Sequence, residues 1–116
     1  MTNLEIDKAL ALAIGYLPEH VCVFLGDLCV YRPECTVDLV FDRIKHWHIF
    51  SHKDPAVILP IVIANNLTMH FDSAHRVWGA FGYDAMGSSI TASEYDKDYY
   101  KCAALAVIEL VKEGKI

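Results

Sequence analysis

Apolar residues recur at helical spacing near the start of the chain. The stripe consists of Leu4, Ile6, Ala9, Leu10, Leu12, Ala13 and Ile14. Thr2 and Glu5 have the spacing of a capping box, in which each side chain accepts a hydrogen bond from the backbone N–H of the other residue. Gly15 suits the left-handed backbone that ends many helices, and Pro18 prevents continuation. The pattern therefore predicts a first helix between Thr2 and Gly15.

Two short β-rich runs follow, at positions 20–25 and 28–31, on either side of Gly26-Asp27. Glycine and aspartate between two such runs predict a β-hairpin. One continuous strand with a bulge at Gly26 is the alternative that the pattern leaves open.

The stretch from Thr36 to Phe50 fits two structures. The apolar residues that fit a helical stripe are Val37, Val40, Phe41, Ile44 and Trp47. Val37, Leu39 and Phe41 also alternate as in a strand, and periodicity does not decide between the two. We favour a short helix over roughly the first ten residues, with Thr36 as its cap.

The next stretch predicts a second helix that passes directly into a strand. Asp54 is a good N-cap and Pro55 a good first helical residue. Pro60 lacks the amide that a helix interior needs, so a kink or a two-part helix is expected. Asn65-Asn66 then stops the helix. The strand that follows alternates Leu67, Met69 and Phe71 with Thr68 and His70, and later elements are a turn at 72–75, a strand at 77–81 and a weaker strand at Ile90.

The C-terminal region predicts a third helix. Ser93 and Asp96 have capping-box spacing, and the nearby acidic residues suit a helix N-terminus. The expected buried face consists of Tyr99, Cys102, Ala103, Ala106, Leu110 and Val111.

Together the elements predict an α+β fold. We expect a small, mostly antiparallel sheet of about three to five strands packed against the N- and C-terminal helices, as two layers or as an α/β/α sandwich. A chain of 116 residues is one domain, 1–116. The hydrophobic fraction of 54% excludes a disordered protein.

Charge limits the classes of partner. The net charge is −5, and the ten basic residues are scattered along the chain. Only Arg43 and Lys45 lie close together. Sequence-independent nucleic-acid binding needs a basic stripe, so we expect no direct binding of nucleic acid. An acidic protein suits a basic surface on another protein.

The N-terminal segment favours a cytoplasmic protein, because it is acidic and lacks the basic and apolar regions of a signal peptide. The longest apolar runs, 9–14 and 56–64, are too short to span a bilayer. In a reducing compartment the four cysteines are expected to be thiols. They are Cys22, Cys29, Cys35 and Cys102.

Several elements resemble the NinX-like family of small proteins encoded by tailed phages and prophages, and the related phage α/β/α-sandwich domain. The opening helix with Gly15 is similar, as is the Pro-Ile-Ile-type helix that leads through a polar pair into an Ile-x-Ile-like strand, here 60–69. Trp78-Gly79-Ala80 matches the family's Trp-x-Ala strand, and 99–106 its Ala-Ala-rich last helix. The resemblance implies a phage or prophage accessory protein of undetermined activity, located in the cytoplasm of the bacterial host.

Histidine is abundant, with six residues in the chain. The densest group is His46, His48 and His52. Zinc or nickel could bridge two of them on a strand face, with Asp54 or Cys35 as a further ligand. No recognised metal spacing is present, so we favour solvated imidazoles around a surface Trp47, and predict no metal and no cofactor.

Catalytic patterns are weak. The cysteine spacing is not that of a zinc knuckle, and Cys22 and Cys102 lie on faces that we assign to the core. Four thiols and six imidazoles do not specify a nucleophilic dyad. The chain has no nucleophile elbow and no phosphate-binding glycine loop, so we predict that it is not an enzyme.

One segment is both acidic and rich in tyrosine, a composition that suits a protein-binding surface. The candidate partner-binding residues are Tyr83, Asp84, Tyr95, Asp96 and Tyr99, with Trp47 as a second candidate. The competing interpretation is a solvated loop and a capped helix whose tyrosines pack inward.

The predicted function is that of a non-enzymatic phage or prophage accessory protein, which binds a host or phage macromolecule and in one version counters host defence. The alternative is a small-ligand or metal-binding module built on the histidine group. A homodimer is favoured if Trp47 is exposed or if the strand after Leu67 lies at a sheet edge.

Overall fold

The computed structural model describes residues 1–32, 47–83 and 86–116. The helices are α1 (Asn3–Ala13), α2 (Pro55–Ala64) and α3 (Tyr99–Lys112), and a short 3-10 turn spans Pro18–His20. The strands are β1 (Val21–Phe24), β2 (Asp27–Tyr31), β3 (Trp47–Ile49), β4 (Thr68–Asp72), β5 (Val77–Tyr83) and β6 (Ser89–Thr91). The α+β fold with a helix near each end is as the sequence predicts.

The described strands form two antiparallel sheets where one had been expected. The first has the order β1-β2-β3 and the second the order β4-β5-β6. In the first sheet Val21 pairs with Val30, and in the second Met69 pairs with Ala80. The main helix contact of each sheet differs, because β2 lies against α1 whereas β5 lies against α3.

The first helix begins and ends as predicted. The Thr2 hydroxyl accepts a hydrogen bond from the Glu5 N–H at 3.2 Å, and the Glu5 carboxylate accepts one from the Thr2 N–H at 3.5 Å. Gly15 has a φ of +109°, a conformation that costs glycine little.

The hairpin is also confirmed, and the bulged single strand is wrong. The turn is Leu25-Gly26 and not Gly26-Asp27, because Asp27 already pairs with Phe24 as the first residue of β2. The helix favoured for roughly the first ten residues of Thr36 to Phe50 lies outside the described residues. The last positions of that stretch form β3.

Helix α2 is continuous and begins as predicted. The Asp54 carboxylate accepts a hydrogen bond from the Ala56 N–H at 2.9 Å, and Pro55 is the first helical residue. Pro60 does not divide the helix. Pro60 and Ala56 are both exposed, so the carbonyl that loses its helical partner lies at the solvent side.

The predicted stop at Asn65-Asn66 is confirmed. Asn66 has a φ of +52°, a left-handed conformation that asparagine tolerates, and the Leu67 N–H then donates to the Val62 carbonyl at 3.1 Å. Strand β4 begins at the next residue. Burial along β4 departs from the predicted alternation, because Phe71, which was expected to be buried with Leu67 and Met69, is 49% exposed.

The capping box predicted for the third helix is wrong. Helix α3 begins at Tyr99, and its N-cap is Asp98, whose carboxylate accepts from the Tyr100 N–H at 2.9 Å. Ser93 instead binds the carboxylate of Glu109 through its N–H and hydroxyl. The Asp96 backbone is bridged to that of Trp78, and the helix begins only after Asp98.

The main core joins α1, β2, α2 and α3. Its fully enclosed large side chains include Ile6, Leu28, Phe50, Ile58 and Leu110. A smaller cluster of buried alanines, with Met69 beside it, attaches the second sheet to α3. These alanines are Ala80, Ala92 and Ala106.

Candidate functional site

The outer face of the first sheet is apolar. Leu28 and Val30 of β2 point into the core, so the alternate positions of the sheet face outward. These outward positions and the hairpin turn form what we call the first-sheet surface, made of Cys22, Phe24, Leu25, Cys29, Tyr31, Trp47 and Ile49, together with the acidic Asp27 that pairs with Phe24. No helix among the described residues contributes to this surface. Large exposed apolar patches are characteristic of interaction sites.

Three side chains of this surface are strongly exposed for their size. Leu25 is 86% exposed, Phe24 is 64% exposed and Ile49 is 63% exposed. Leu25 and Phe24 are consecutive residues at the tip of the hairpin, while Ile49 lies in register with Cys29 on the next strand. These side chains form a nearly continuous apolar area that the described residues do not bury.

Leu25 also has an uncommon backbone conformation. Its φ is +51° and that of Gly26 is +84°, as in the two-residue hairpin turns that favour asparagine, aspartate or glycine. A bulky residue at positive φ is an outlier with a local cost. The Leu25 side chain is 86% exposed, so its burial does not offset the cost of this backbone conformation.

A depression of about 330 Å³ lies on the same surface. It is lined by Cys22, Phe24, Cys29 and Trp47 and presents almost only apolar atoms. Trp47 is half-buried and its ring lies 5.3 Å from that of Tyr31. Such a depression can receive an apolar side chain of a partner.

The outer face of the second sheet carries another aromatic group. The Tyr95 ring lies directly over Gly79, where an added Cβ would come within 2.5 Å of Tyr95 Cε1. His70 lies beside it, with ring centroids 6.1 Å from Tyr95 and 5.6 Å from Phe81. By strand alternation Tyr83, which is 61% exposed, shares this face.

The predicted tyrosine patch is thus divided between two faces. Tyr83 and Tyr95 lie on the outer face of the second sheet, whereas Tyr99 packs edge-on against Trp78 on the helix-facing side. Asp96 is half-buried, and its backbone pairs with that of Trp78. Asp84 lies outside the described residues.

The second predicted candidate, Trp47, lies on the first-sheet surface. It joins residues that sequence reasoning missed, namely Phe24, Leu25 and Ile49. Leu25-Gly26 between the two β-runs was the signal in the sequence that could have indicated this surface, because two-residue hairpin turns rarely contain leucine. The homodimer was expected if Trp47 is exposed or if the strand after Leu67 is an edge strand. Trp47 is half-buried, and β4 is an edge strand of the second sheet as described.

Within the predicted histidine group, His52 is not a solvated imidazole. His52 is fully buried, its Nδ1 lies 2.5 Å from Asp7 Oδ1, and its backbone N–H donates to the same oxygen at 2.8 Å. These two contacts with Asp7 tie the segment after β3 to α1. His48 is half-buried on β3, and His46 lies outside the described residues. No group of three or more metal-ligating side chains occurs within the described ranges.

The thiols differ in environment. Cys22 is exposed, which corrects its predicted place in the core. Cys22 pairs with Cys29, whose neighbours Leu28 and Val30 point into the core. Both cysteines therefore lie on the outer face of the first sheet. Cys102 is buried as predicted, its Sγ donates to the Trp78 carbonyl at 3.1 Å, and burial raises the pKa of this thiol to about 11. Burial and the nearby Cys22 and Asp27 raise the pKa of the Cys29 thiol.

The fold and these surfaces define an α+β domain with an apolar sheet face that no described helix covers. No family model matches the chain, and comparison with curated proteins and with solved structures found no match. Among the described residues, no helix has the length and apolar character needed to cross a bilayer.

Proposed function

We propose that the protein is a non-enzymatic phage or prophage accessory protein that binds a host or phage protein through its first-sheet surface. The observation that carries the proposal is Leu25, an 86% exposed leucine at positive φ on the hairpin tip. Residues held in a strained backbone conformation cluster at functional sites. The phage setting and the bacterial cytoplasm rest on the NinX-like resemblance.

The contacts of the surface favour a protein partner. The tip supplies two adjacent apolar side chains, Phe24 and Leu25, and the depression beside them can accept one side chain in return. Interfaces combine such apolar centres with aromatic anchors, and Trp47 is suited to that role. Countering a host defence system is a narrower form of the proposal, in which the partner is a defence protein.

The expected test substitutes Leu25 by asparagine. Asparagine suits positive φ, so the Leu25→Asn variant removes the apolar contact while the turn keeps its conformation. We expect affinity for the partner to fall by about tenfold to a hundredfold, as for an interface anchor. The melting temperature should stay the same or rise.

The measurement uses immobilised full-length chain, lysate of the bacterial host, and mass spectrometry of the captured proteins. The candidate partner is then purified and its affinity for each variant is measured by calorimetry. The matched control is Ile63→Asn, which makes the same kind of change at an aliphatic side chain that is 73% exposed on α2. Equal binding by wild type and Leu25→Asn, or equal loss in both variants, would contradict the proposal.

A further inference from the structure

Cys22 and Cys29 are direct neighbours across the hairpin. They occupy paired positions of β1 and β2, and both side chains lie on the first-sheet surface. The Leu28 carbonyl accepts from the Phe50 N–H at 2.8 Å, so the backbone of Leu28 points toward β3. The backbone of Cys29 therefore points toward β1, and the two cysteines form a hydrogen-bonded pair.

The Cα atoms of a hydrogen-bonded antiparallel pair are about 5.5 Å apart. Disulfides are found with Cα separations of roughly 4.4–6.8 Å, so the backbone already has a suitable spacing. The Cβ atoms of such a pair are about 5 Å apart, whereas a disulfide draws them to about 3.8 Å. A bond between these cysteines therefore forms with some strain and is easily reduced.

The two thiols have unequal access. Cys22 is exposed, while Cys29 is 9% exposed and lines the apolar depression beneath it. A small disulfide in solution meets Cys22 first. Burial also raises the pKa of the Cys29 thiol, which favours the unreactive protonated form.

We propose that Cys22 and Cys29 form a reversible dithiol–disulfide pair, in which Cys22 attacks a low-molecular-weight disulfide and Cys29 resolves the adduct. The Cys22 thiolate attacks one sulfur of the small disulfide, whose S–S bond breaks and releases one small thiol. Cys29 then loses its proton to solvent and attacks Cys22 Sγ, which releases the second small thiol. Two protein thiols are oxidised and one small disulfide is reduced to two thiols.

The pair also differs from the remaining thiol of the described residues. Cys102 of α3 is fully buried, and its hydrogen bond to the Trp78 carbonyl of β5 holds the thiol in place. Its pKa of about 11 keeps it protonated at neutral pH. Cys102 is therefore a built-in unreactive reference in the same molecule.

The experiment uses the full chain with Cys35→Ser, since Cys35 lies outside the described residues. The protein is treated with oxidised glutathione at neutral pH, the remaining thiols are alkylated in denaturant so that buried thiols also react, and the products are identified by intact mass and peptide mapping. We expect an internal Cys22–Cys29 disulfide, an alkylated Cys102, and full reversal by excess reduced glutathione. The test involves no binding partner, so its outcome is independent of the proposed function.

Two variants separate the roles. In Cys29→Ser, with Cys29→Ala as a second version that avoids a buried hydroxyl, the glutathione adduct should persist on Cys22. In Cys22→Ser the modification of Cys29 should be on the order of tenfold slower. Circular dichroism checks that each variant is folded. A stable adduct on wild-type Cys22 without the internal bond, or equal modification of Cys102, would overturn the proposal.

Discussion

Two aspartate–histidine pairs in this molecule have similar contacts and opposite environments. The Asp7–His52 pair is buried, whereas His75 and Asp72 form a surface pair whose side chains are 79% and 36% exposed. Burial decides the energetics, because a buried polar group that loses its partner cannot bind water instead. The comparison isolates the effect of burial on one type of contact.

We expect Asp7→Ala to lower the free energy of unfolding by about 3 kcal/mol, since it leaves the enclosed His52 ring and its backbone N–H without an acceptor. Urea denaturation followed by circular dichroism measures the change. A loss below about 1 kcal/mol would show that water or a neighbouring group replaces the carboxylate.

The control for this prediction is Asp72→Ala, which should leave stability close to that of the wild type at neutral pH. Hydrogen bonds from His75 hold the pKa of Asp72 below its ordinary value. The small stabilisation from this carboxylate is thus present above the pKa of the unfolded chain and is lost as pH falls through the folded-state pKa.

At this scale the sequence grouped Tyr83, Tyr95 and Tyr99 in one patch, whereas Tyr99 lies against Trp78 on the other face of the sheet from Tyr83 and Tyr95. Residue type indicates that a side chain suits an interface, while the face it occupies depends on strand register, which the pattern did not specify. Leu25 was missed because its meaning comes from its backbone conformation.

Among the elements, the start of α3 was the least predictable boundary. Ser93 and Asp98 are both good N-caps by type, and Asp96 completes a capping-box spacing with Ser93. The choice is made by tertiary contacts, because Glu109 binds Ser93 and Trp78 pairs with Asp96. By contrast, Thr2 and Asp54 are the caps that the sequence predicted for α1 and α2, and both helix starts were predicted.

We expect Asp98→Ala to cost about 1 kcal/mol of unfolding free energy, because two N–H groups of the first turn lose their acceptor. Asp96→Ala is the matched variant, and it should cost less because it removes no cap of α3. Thermal or urea unfolding measures both. Equal costs would indicate that the helix begins earlier than Tyr99.

In the whole molecule, the two sheets are attached to the helices unequally. The first sheet shares the main core with α1, α2 and α3 through Leu28 and Val30, while the second reaches that core through Ile90 and Met69 and otherwise packs through the small alanine cluster. The α+β class could be predicted, since it follows from the order of the elements. The division into two sheets could not be predicted, because it depends on which strands pair with each other in the folded chain, and the sequence pattern does not specify that pairing.

This difference in attachment predicts a difference in local stability. Amides of β5, whose buried Ala80 belongs to the smaller cluster, should exchange with solvent deuterium before those of α1 and of β2, whose residues belong to the larger core. Native-state hydrogen exchange followed by NMR measures the order. Uniform protection across both sheets would mean that the molecule opens only as one unit.

The short joint between α2 and β4 has a practical consequence for work in cells. Asn66 turns the chain within one residue, and the hydrogen bond from Leu67 to Val62 spans the joint. An epitope inserted there would separate a helix end from a strand start that share these contacts. The four exposed residues 73–76 between β4 and β5 offer a better insertion point, on a different sheet from Leu25.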